Sequence, residues 1–238
     1  MTDPLAALRA STRARVALGR AGDAVPTAEL LRLRGAHAAA RDAVHAPLDV
    51  QAVEQRVRAL DLDVLRVASA AAGRAEYLRR PDLGRRLAAG SALVEGQYDL
   101  VVVLADGLSP LAVHRHGAAM LGALLERLDG WRVAPVVIAT QARVALGDEV
   151  ATALGARSVV VLVGERPGMS STDSLGAYFT YEPRRGRRDS ERNCVSNIRP
   201  PHGIGYEAAA STLAMLMAEA RRLGLSGVAL KADPALPA

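Results

Sequence analysis

The sequence predicts an α/β protein, a parallel sheet with helices on both faces preceded by a helical N-terminal section. Three observations carry that expectation. Leu100–Ala105, Trp131–Thr140 and Ser158–Val163 are largely apolar runs, and strands buried on both faces of a parallel sheet read as runs rather than as alternation. Helical stretches, Ser109–Leu128 and about Gly147–Leu154, separate the runs. The stretch from Asp3 to about His45 has helical character throughout. The pattern is Rossmann-like and divides the chain into a helical section over 1–62 and an α/β domain over 63–238.

In chain order, Leu5, Leu8 and Val16 mark the first helical segment, and Leu30, Leu31 and Leu33 a second that opens at Pro26-Thr27, where proline suits a first turn. A third helix is expected over Asp49–Leu60 and a short strand over Val64–Ala70. Pro81–Glu95 reads as a helix, because Pro-Asp makes a favourable anionic first turn. After the three apolar runs comes Gly164–Tyr206, rich in Gly, Pro, Ser and Arg and with little periodicity, expected as a long functional loop. Tyr206–Leu223 is the last helix, and Lys231–Ala238 is expected as a loose tail.

Composition bounds the function. The chain has 238 residues, 50% of them hydrophobic, and a single cysteine. One thiol cannot close an internal disulfide, so a stapled secreted scaffold is excluded and an intracellular globular protein is expected. The apolar runs are far shorter than the roughly 18 residues of a membrane span, and the N-terminus carries no signal-type apolar stretch. The net charge of +5 invites a nucleic-acid partner, but the arginines are dispersed and only Arg184, Arg185, Arg187 and Arg188 cluster. With one Phe, one Trp and five Tyr there is little to stack on bases. The arginine cluster is expected to be a solvated or interface loop, and no nucleic-acid or membrane partner is expected.

Most catalytic templates fail. One cysteine and five scattered histidines supply no zinc spacing, and His114 and His116, two apart, do not share a helix face and read as packing or surface residues. A phosphate loop needs a lysine after its glycines, and the only lysine is Lys231. Gly203-Ile204-Gly205-Tyr206-Glu207-Ala208 fits G-x-G-x-x-A, yet a dinucleotide fingerprint must follow one strand and precede another, and the chain ends too soon.

In sheets of this kind ligands gather beyond the carboxyl ends of the strands. That rule selects Ala105-Asp106-Gly107-Leu108-Ser109, Thr140-Gln141-Ala142-Arg143-Val144 and Gly164-Glu165-Arg166-Pro167-Gly168. Ser109 is expected as the N-cap of the following helix and Gly107 as a tight turn. Glu165, beside Arg166, is either half of a structural ion pair or an acceptor aimed at a ligand. Cys194 is expected to be a small packing residue.

The same residues carry a resemblance. Leu162-Val163-Gly164-Glu165-Arg166-Pro167-Gly168, Asp173-Ser174-Leu175-Gly176-Ala177-Tyr178 and, after Asp189, Glu191-Arg192-Asn193-Cys194-Val195-Ser196-Asn197-Ile198 resemble the small (light, or β) subunit of ethanolamine ammonia-lyase. Leu8-Arg9-Ala10-Ser11-Thr12, Gly19-Arg20-Ala21-Gly22, Tyr77-Leu78-Arg79-Arg80-Pro81-Asp82-Leu83-Gly84-Arg85-Arg86-Leu87 and Asp106-Gly107-Leu108-Ser109 agree in the same order. The likeness runs from about Leu5 to Leu230.

The resemblance implies a carbon–nitrogen lyase that converts ethanolamine to acetaldehyde and ammonia by adenosylcobalamin-dependent radical chemistry. It implies a large-subunit partner, a TIM barrel that binds the substrate, in a hetero-oligomer with the cofactor held between the chains. Cofactor contacts from this chain map onto Val144, Glu165 and Cys194, and no catalytic residue or metal ligand is implied here. No histidine has an aspartate two residues before it, so the chain is not expected to replace the cofactor's own lower base. The family implies a cytoplasmic home, usually a bacterial microcompartment reached through an N-terminal extension longer than the few residues preceding the match here. The alternative is a nonenzymatic cobalamin- or protein-binding module of the same fold.

Overall fold

The computed structural model of the chain describes residues 5–12 and 14–230, so the expected tail, Lys231–Ala238, and Asp3 lie outside the described residues. Helices α1 (Ala6–Ser11), α2 (Thr27–His45) and α3 (Val50–Arg58) open the chain. Pro26 is the N-cap residue of α2, and the Asp49 carboxylate caps α3 by accepting from Ala52 N at 3.0 Å. Strand β1 (Val64–Ala68) follows, then α4 (Arg74–Arg79). Strands β2 (Val101–Ala105), β3 (Val136–Thr140) and β4 (Ser158–Gly164) fall on the three apolar runs. Between β2 and β3 the chain is helical from α5 (Pro110–Ala112) through a π-turn (Val113–Gly117) into α6 (Ala118–Leu125), and α7 (Leu146–Leu154) precedes β4.

All five residues of β2 and all seven of β4 are buried, which is why neither alternates. Their side chains still point alternately to two faces. Val102, Leu104, Ile138, Val160 and Leu162 meet α3, α6 and the last helix, α8 (Tyr206–Leu223). Val101, Val103, Ala139, Val159 and Val161 meet α7 through Leu146, Val150 and Leu154. Two cores therefore sandwich one sheet.

Two expectations are corrected. Gly164–Tyr206 is not one long loop, since it contains β5 (Leu175–Tyr181) and β6 (Asn193–Ile198). The sheet has six strands in the order β1-β3-β2-β4-β5-β6, with β1 to β4 parallel and β5 and β6 antiparallel. It is mixed, not wholly parallel. Antiparallel neighbours need only a short return of chain, whereas each parallel pair needs a crossover, and β5 and β6 have no helix between them longer than the 3₁₀ turn Asp189–Glu191. The second correction concerns Pro81–Glu95, which is not a helix beyond the 3₁₀ turn Leu83–Arg85. Its backbone pairs elsewhere. Ala70 N donates to Arg86 O at 2.9 Å, Ala88 N to Ala68 O at 3.0 Å and Leu87 N to the Glu149 carboxylate at 2.8 Å. These bonds extend the end of β1 and use the groups that an i→i−4 ladder would require.

Candidate functional site

The connections after β2 and β3 leave toward opposite faces, β2 into α5 and α6 on one side and β3 into α7 on the other. Divergence of this kind opens a crevice at the carboxyl ends of the strands. A cavity of about 240 Å³ lies there, lined in part by Leu108, Arg143, Val144, Val163, Glu165 and Tyr178. Two of the three family-mapped residues, Val144 and Glu165, thus share one cavity. Cys194 does not line it, but it pairs in register with Tyr178 across β5 and β6. Cys194 is exposed rather than packed in a core. Crowding by its neighbours, partly offset by a hydrogen bond with Tyr178 and reinforced by the Glu165 charge, pushes its thiol up.

The crevice is cut by two glycines. Gly107 has φ +54°, and a Cβ there would lie 2.2 Å from Gly164 O. A Cβ on Gly164 would lie 2.0 Å from Ser109 O. No side chain fits between these backbones, so the loops after β2 and β4 close to van der Waals distance only as glycine. Ser109 caps α5 as expected, accepting from Ala112 N at 3.3 Å, and its hydroxyl also donates to Thr172 O at 2.6 Å.

Asp106 has a larger part than its turn position suggests. It is 1% exposed. Oδ1 accepts from Ala142 N at 2.9 Å, and Oδ2 from Gln141 N at 2.8 Å and Arg74 Nη1 at 3.2 Å. Burial pushes its carboxyl up, against the pull of those N–H groups and Arg74. The carboxylate ties the exit of β2 to the exit of β3 and so holds the loop that carries Arg143 and Val144. Gln141 adopts φ +52°, a left-handed conformation that a non-glycine residue keeps only where its surroundings impose it.

Glu165 is held, not paired. Among the described residues no ion pair joins it to Arg166. Ser174 Oγ donates to Oε2 at 2.6 Å, Ser196 Oγ donates to Oε1, and Asn197 N reaches Oε2 at 3.3 Å. Three donors, Ser174 just before β5 and Ser196 and Asn197 in β6, orient one carboxylate beside the cavity. An ionised carboxylate has about four acceptor positions, so one is left to face outward. The ion-pair alternative is set aside and the ligand-acceptor alternative retained.

The Tyr77 ring also lines this cavity and meets two guanidiniums, those of Arg74 and Arg143, each centred 5.0 Å from it. Tyr77 is fully buried and its hydroxyl donates to Ala142 O at 3.2 Å. Burial and the Asp106 charge push its phenol up to about 12. A group whose folded value is raised keeps its full contribution below the unfolded value near 10 and loses it as pH climbs toward the folded one. Wild type is therefore expected to lose up to about 2–3 kcal/mol of stability between pH 10 and 12 that Tyr77→Phe does not lose. Urea midpoints of the two proteins across that range provide the check, and parallel curves would remove the assignment.

Sequence reasoning did not single out Tyr77, Ser174, Ser196 or Tyr178 as site residues. Tyr178 had a signal only once β5 was known to be a strand. The two serines had none, since β5 and β6 together bring positions 22 apart onto one carboxylate. The remaining motifs resolve as ordinary structure. His114 Nε2 accepts from Asp49 N at 3.0 Å. Arg185 and Arg187 face Glu149 and Glu191. Gly205 is the N-cap of α8, and among the described residues no strand follows that helix. No helix among the described residues is long and apolar enough to cross a membrane.

Comparison with known proteins accords with this geometry. The family model described as ethanolamine ammonia-lyase light chain (EutC) matches residues 2–231. The ethanolamine ammonia-lyase small subunit of Rhodococcus erythropolis is 51% identical over 226 residues, covering 94% of this chain and 88% of that protein. The small subunit of Ralstonia nicotianae is 51% identical over 245 residues, covering 99% and 90%. That of Azotobacter vinelandii is 52% identical over 239 residues, covering 96% and 88%. The motifs at the ends of β4 and along β6 fall within these matches, and the chain belongs to the ethanolamine ammonia-lyase light-chain family.

Proposed function

We propose that this chain forms one wall of an adenosylcobalamin site completed by the large subunit of ethanolamine ammonia-lyase. The observation that carries the proposal is the Glu165 carboxylate, fixed by three donors beside a crevice whose other lining includes Leu108, Val144 and Val163. The residues fit the group. A corrin rim is an apolar macrocycle edged with amide arms, and each arm removed from water needs a partner, at a cost of about 1–3 kcal/mol if none is found. Glu165 accepts from an amide N–H, and bonds to a charged acceptor are the stronger kind. Val144 supplies apolar contact at the mouth. Cys194 and Tyr178 extend the wall along β5 and β6. The Gly107–Gly164 contact holds the loops after β2 and β4 together at the edge of the crevice. A cavity of about 240 Å³ is too small for a whole corrin, which accords with a shared site.

When bound, adenosylcobalamin supplies the organic radical from which loss of ammonia from ethanolamine begins, leaving acetaldehyde. This chain's part is to bind, to orient and to exclude water. Its α/β domain presents the wall, its helical N-terminal section belongs to the assembly, and the large subunit holds the substrate. Acetaldehyde production by the two purified subunits with the cofactor tests the reading, and no turnover from wild type would end it. Glu165→Gln is expected to weaken cofactor binding about tenfold, the loss of one charge-assisted bond, while the subunits still co-elute. Cys194→Ser is expected to keep most activity, because the thiol, exposed in this chain, would pack against the cofactor and not react with it. Unchanged affinity in the first variant would remove the role of Glu165.

A further inference from the structure

Two arginines among the described residues are buried, Arg192 and Arg199, and their surroundings differ. Arg192 is engaged by a carboxylate through two bonds of 2.7 and 2.6 Å. Arg199, 7% exposed, has no hydrogen bond from its guanidinium among the described residues. Its nearest anion is Asp173, 3.9 Å from Nη1, beyond hydrogen-bond range. The other oxygen of that carboxylate, Oδ2, accepts from Arg115 Nη1 at 2.6 Å, so Asp173 answers two guanidiniums and only Arg115 is directly hydrogen-bonded to it. Burial works to raise the Asp173 carboxyl, and Arg115, His116 and Arg199 together hold it below the usual range. Buried charged groups are normally paired, so an arginine left open is a site awaiting an anion.

What Arg199 faces is a cleft. Between α2 and the loops after β4 and β6 lies a cavity of about 300 Å³ lined by Arg115, Ser171, Asp173, Arg199 and His202, among others. Two of its polar atoms, Arg199 Nε and Ser171 Oγ, are buried with no partner among the described residues, and His116 Nε2 nearby is a third. Burial pushes the His116 imidazole down, with Asp173 opposing, and its Nδ1 already bonds the Tyr206 hydroxyl at 2.8 Å. Two guanidiniums against one carboxylate leave the cleft one positive charge in excess. At about 30 Å³ per water-sized volume, the space admits a carboxylate with a few attached heavy atoms. A planar guanidinium fork matches a carboxylate in two parallel bonds.

We propose that this cleft is a carboxylate-binding site, with Arg199 as its anchor and the Ser171 hydroxyl as a second donor. The carboxylate comes either from a small free acid or from an acidic side chain of the large subunit. Only the second source rests on the function proposed above.

The full chain is titrated with sodium acetate against sodium chloride at equal ionic strength, by calorimetry and by thermal midpoint, beside Arg199→Met and Ser171→Ala. Wild type is expected to bind acetate saturably, Arg199→Met at least tenfold more weakly, and Ser171→Ala about threefold more weakly. Ser171→Ala removes only a hydroxyl and keeps the comparison alive if the arginine variant folds poorly. The same titration on the complex with the large subunit separates the sources. Continued acetate uptake marks a free ligand. Its loss on assembly, with at least tenfold weaker subunit association for Arg199→Met, marks a partner side chain. Absence of an acetate-specific effect in wild type, together with unchanged subunit affinity in both variants, overturns the proposal. Failure of wild type to bind the large subunit at all would sink the assigned function and leave the acetate result to decide this site.

Discussion

Arg192→Met is expected to destabilise the fold by about 3–5 kcal/mol, the usual cost of stranding one member of a buried ion pair. Arg192 and Asp148 are each 2% exposed as side chains. The guanidinium also donates to Thr180 Oγ1 at 2.8 Å and Arg187 O at 3.1 Å. Methionine fills much of the volume but leaves Asp148 with no cation to answer its charge. The pair joins α7 to the β5–β6 hairpin, so the loss loosens the unit that supplies Ser174 and Ser196 to Glu165. The urea midpoint should fall with little change in slope. Burial favours the protonated form of Asp148 and Arg192 opposes it. Without the arginine the carboxyl is raised further, so its contribution is fully present below the unfolded value near 4 and is lost as pH rises through the raised folded value. The variant's deficit should therefore shrink as pH falls through that raised value toward about 4 and level off below it. Asp148→Leu combined with Arg192→Met should recover most of the loss, since a well-packed apolar pair often equals a buried ion pair. A deficit below about 1 kcal/mol, the range of exposed pairs, would contradict the account.

Gly164→Ala is the second large effect. The added methyl would sit 2.0 Å from Ser109 O, 2.6 Å from Ser109 C and 2.7 Å from Asp106 O. These are backbone atoms, which cannot swing aside as a side-chain end does. The exits of β2 and β4 must separate, at a cost of roughly 3 kcal/mol or more. For a chain of this size that corresponds to a fall of about 6–12 °C in Tm. Any protein that does fold should bind cofactor more weakly than Glu165→Gln does, because the carboxylate moves together with its loop. Gly205→Ala is the control. It meets nothing within 4 Å, and it should change stability by less than about 1 kcal/mol. Equal behaviour of the two alanine variants would remove the close approach from the explanation of the crevice.

Much of the fold was legible because buried parallel strands and long amphipathic helices announce themselves locally. The runs at β2, β3 and β4, the cap Ser109, and the whole of α8 were expected from residues within a few positions of one another. Elements whose backbone partners lie far away were not. Pro81–Glu95 carries a plausible helix opening at Pro81-Asp82, yet donors and acceptors within it go to the end of β1 and to α7. Leu175–Tyr181 has glycine and polar residues among its apolar ones, and it becomes a strand because β4 offers seven antiparallel partners.

The site divides in the same way. Position after a buried strand selected the loops that carry Glu165 and Val144, since the carboxyl ends of parallel strands are where loops converge, and the family resemblance singled out the two residues within them. Whether Glu165 answered a cation or faced a ligand could not be read from Arg166 beside it. Sequence alone determined a sheet-centred α/β protein, the strand ends at which a ligand would gather, and the family to which the chain is similar. Tertiary structure decided which polar groups met: Ser174 and Ser196 on Glu165, Arg74 on Asp106, Arg192 on Asp148, and only the distant Asp173 on Arg199. The reason is physical. Hydrophobic periodicity is a local property of the chain, whereas the pairing of buried charges depends on sheet order and register, which bring together residues dozens of positions apart.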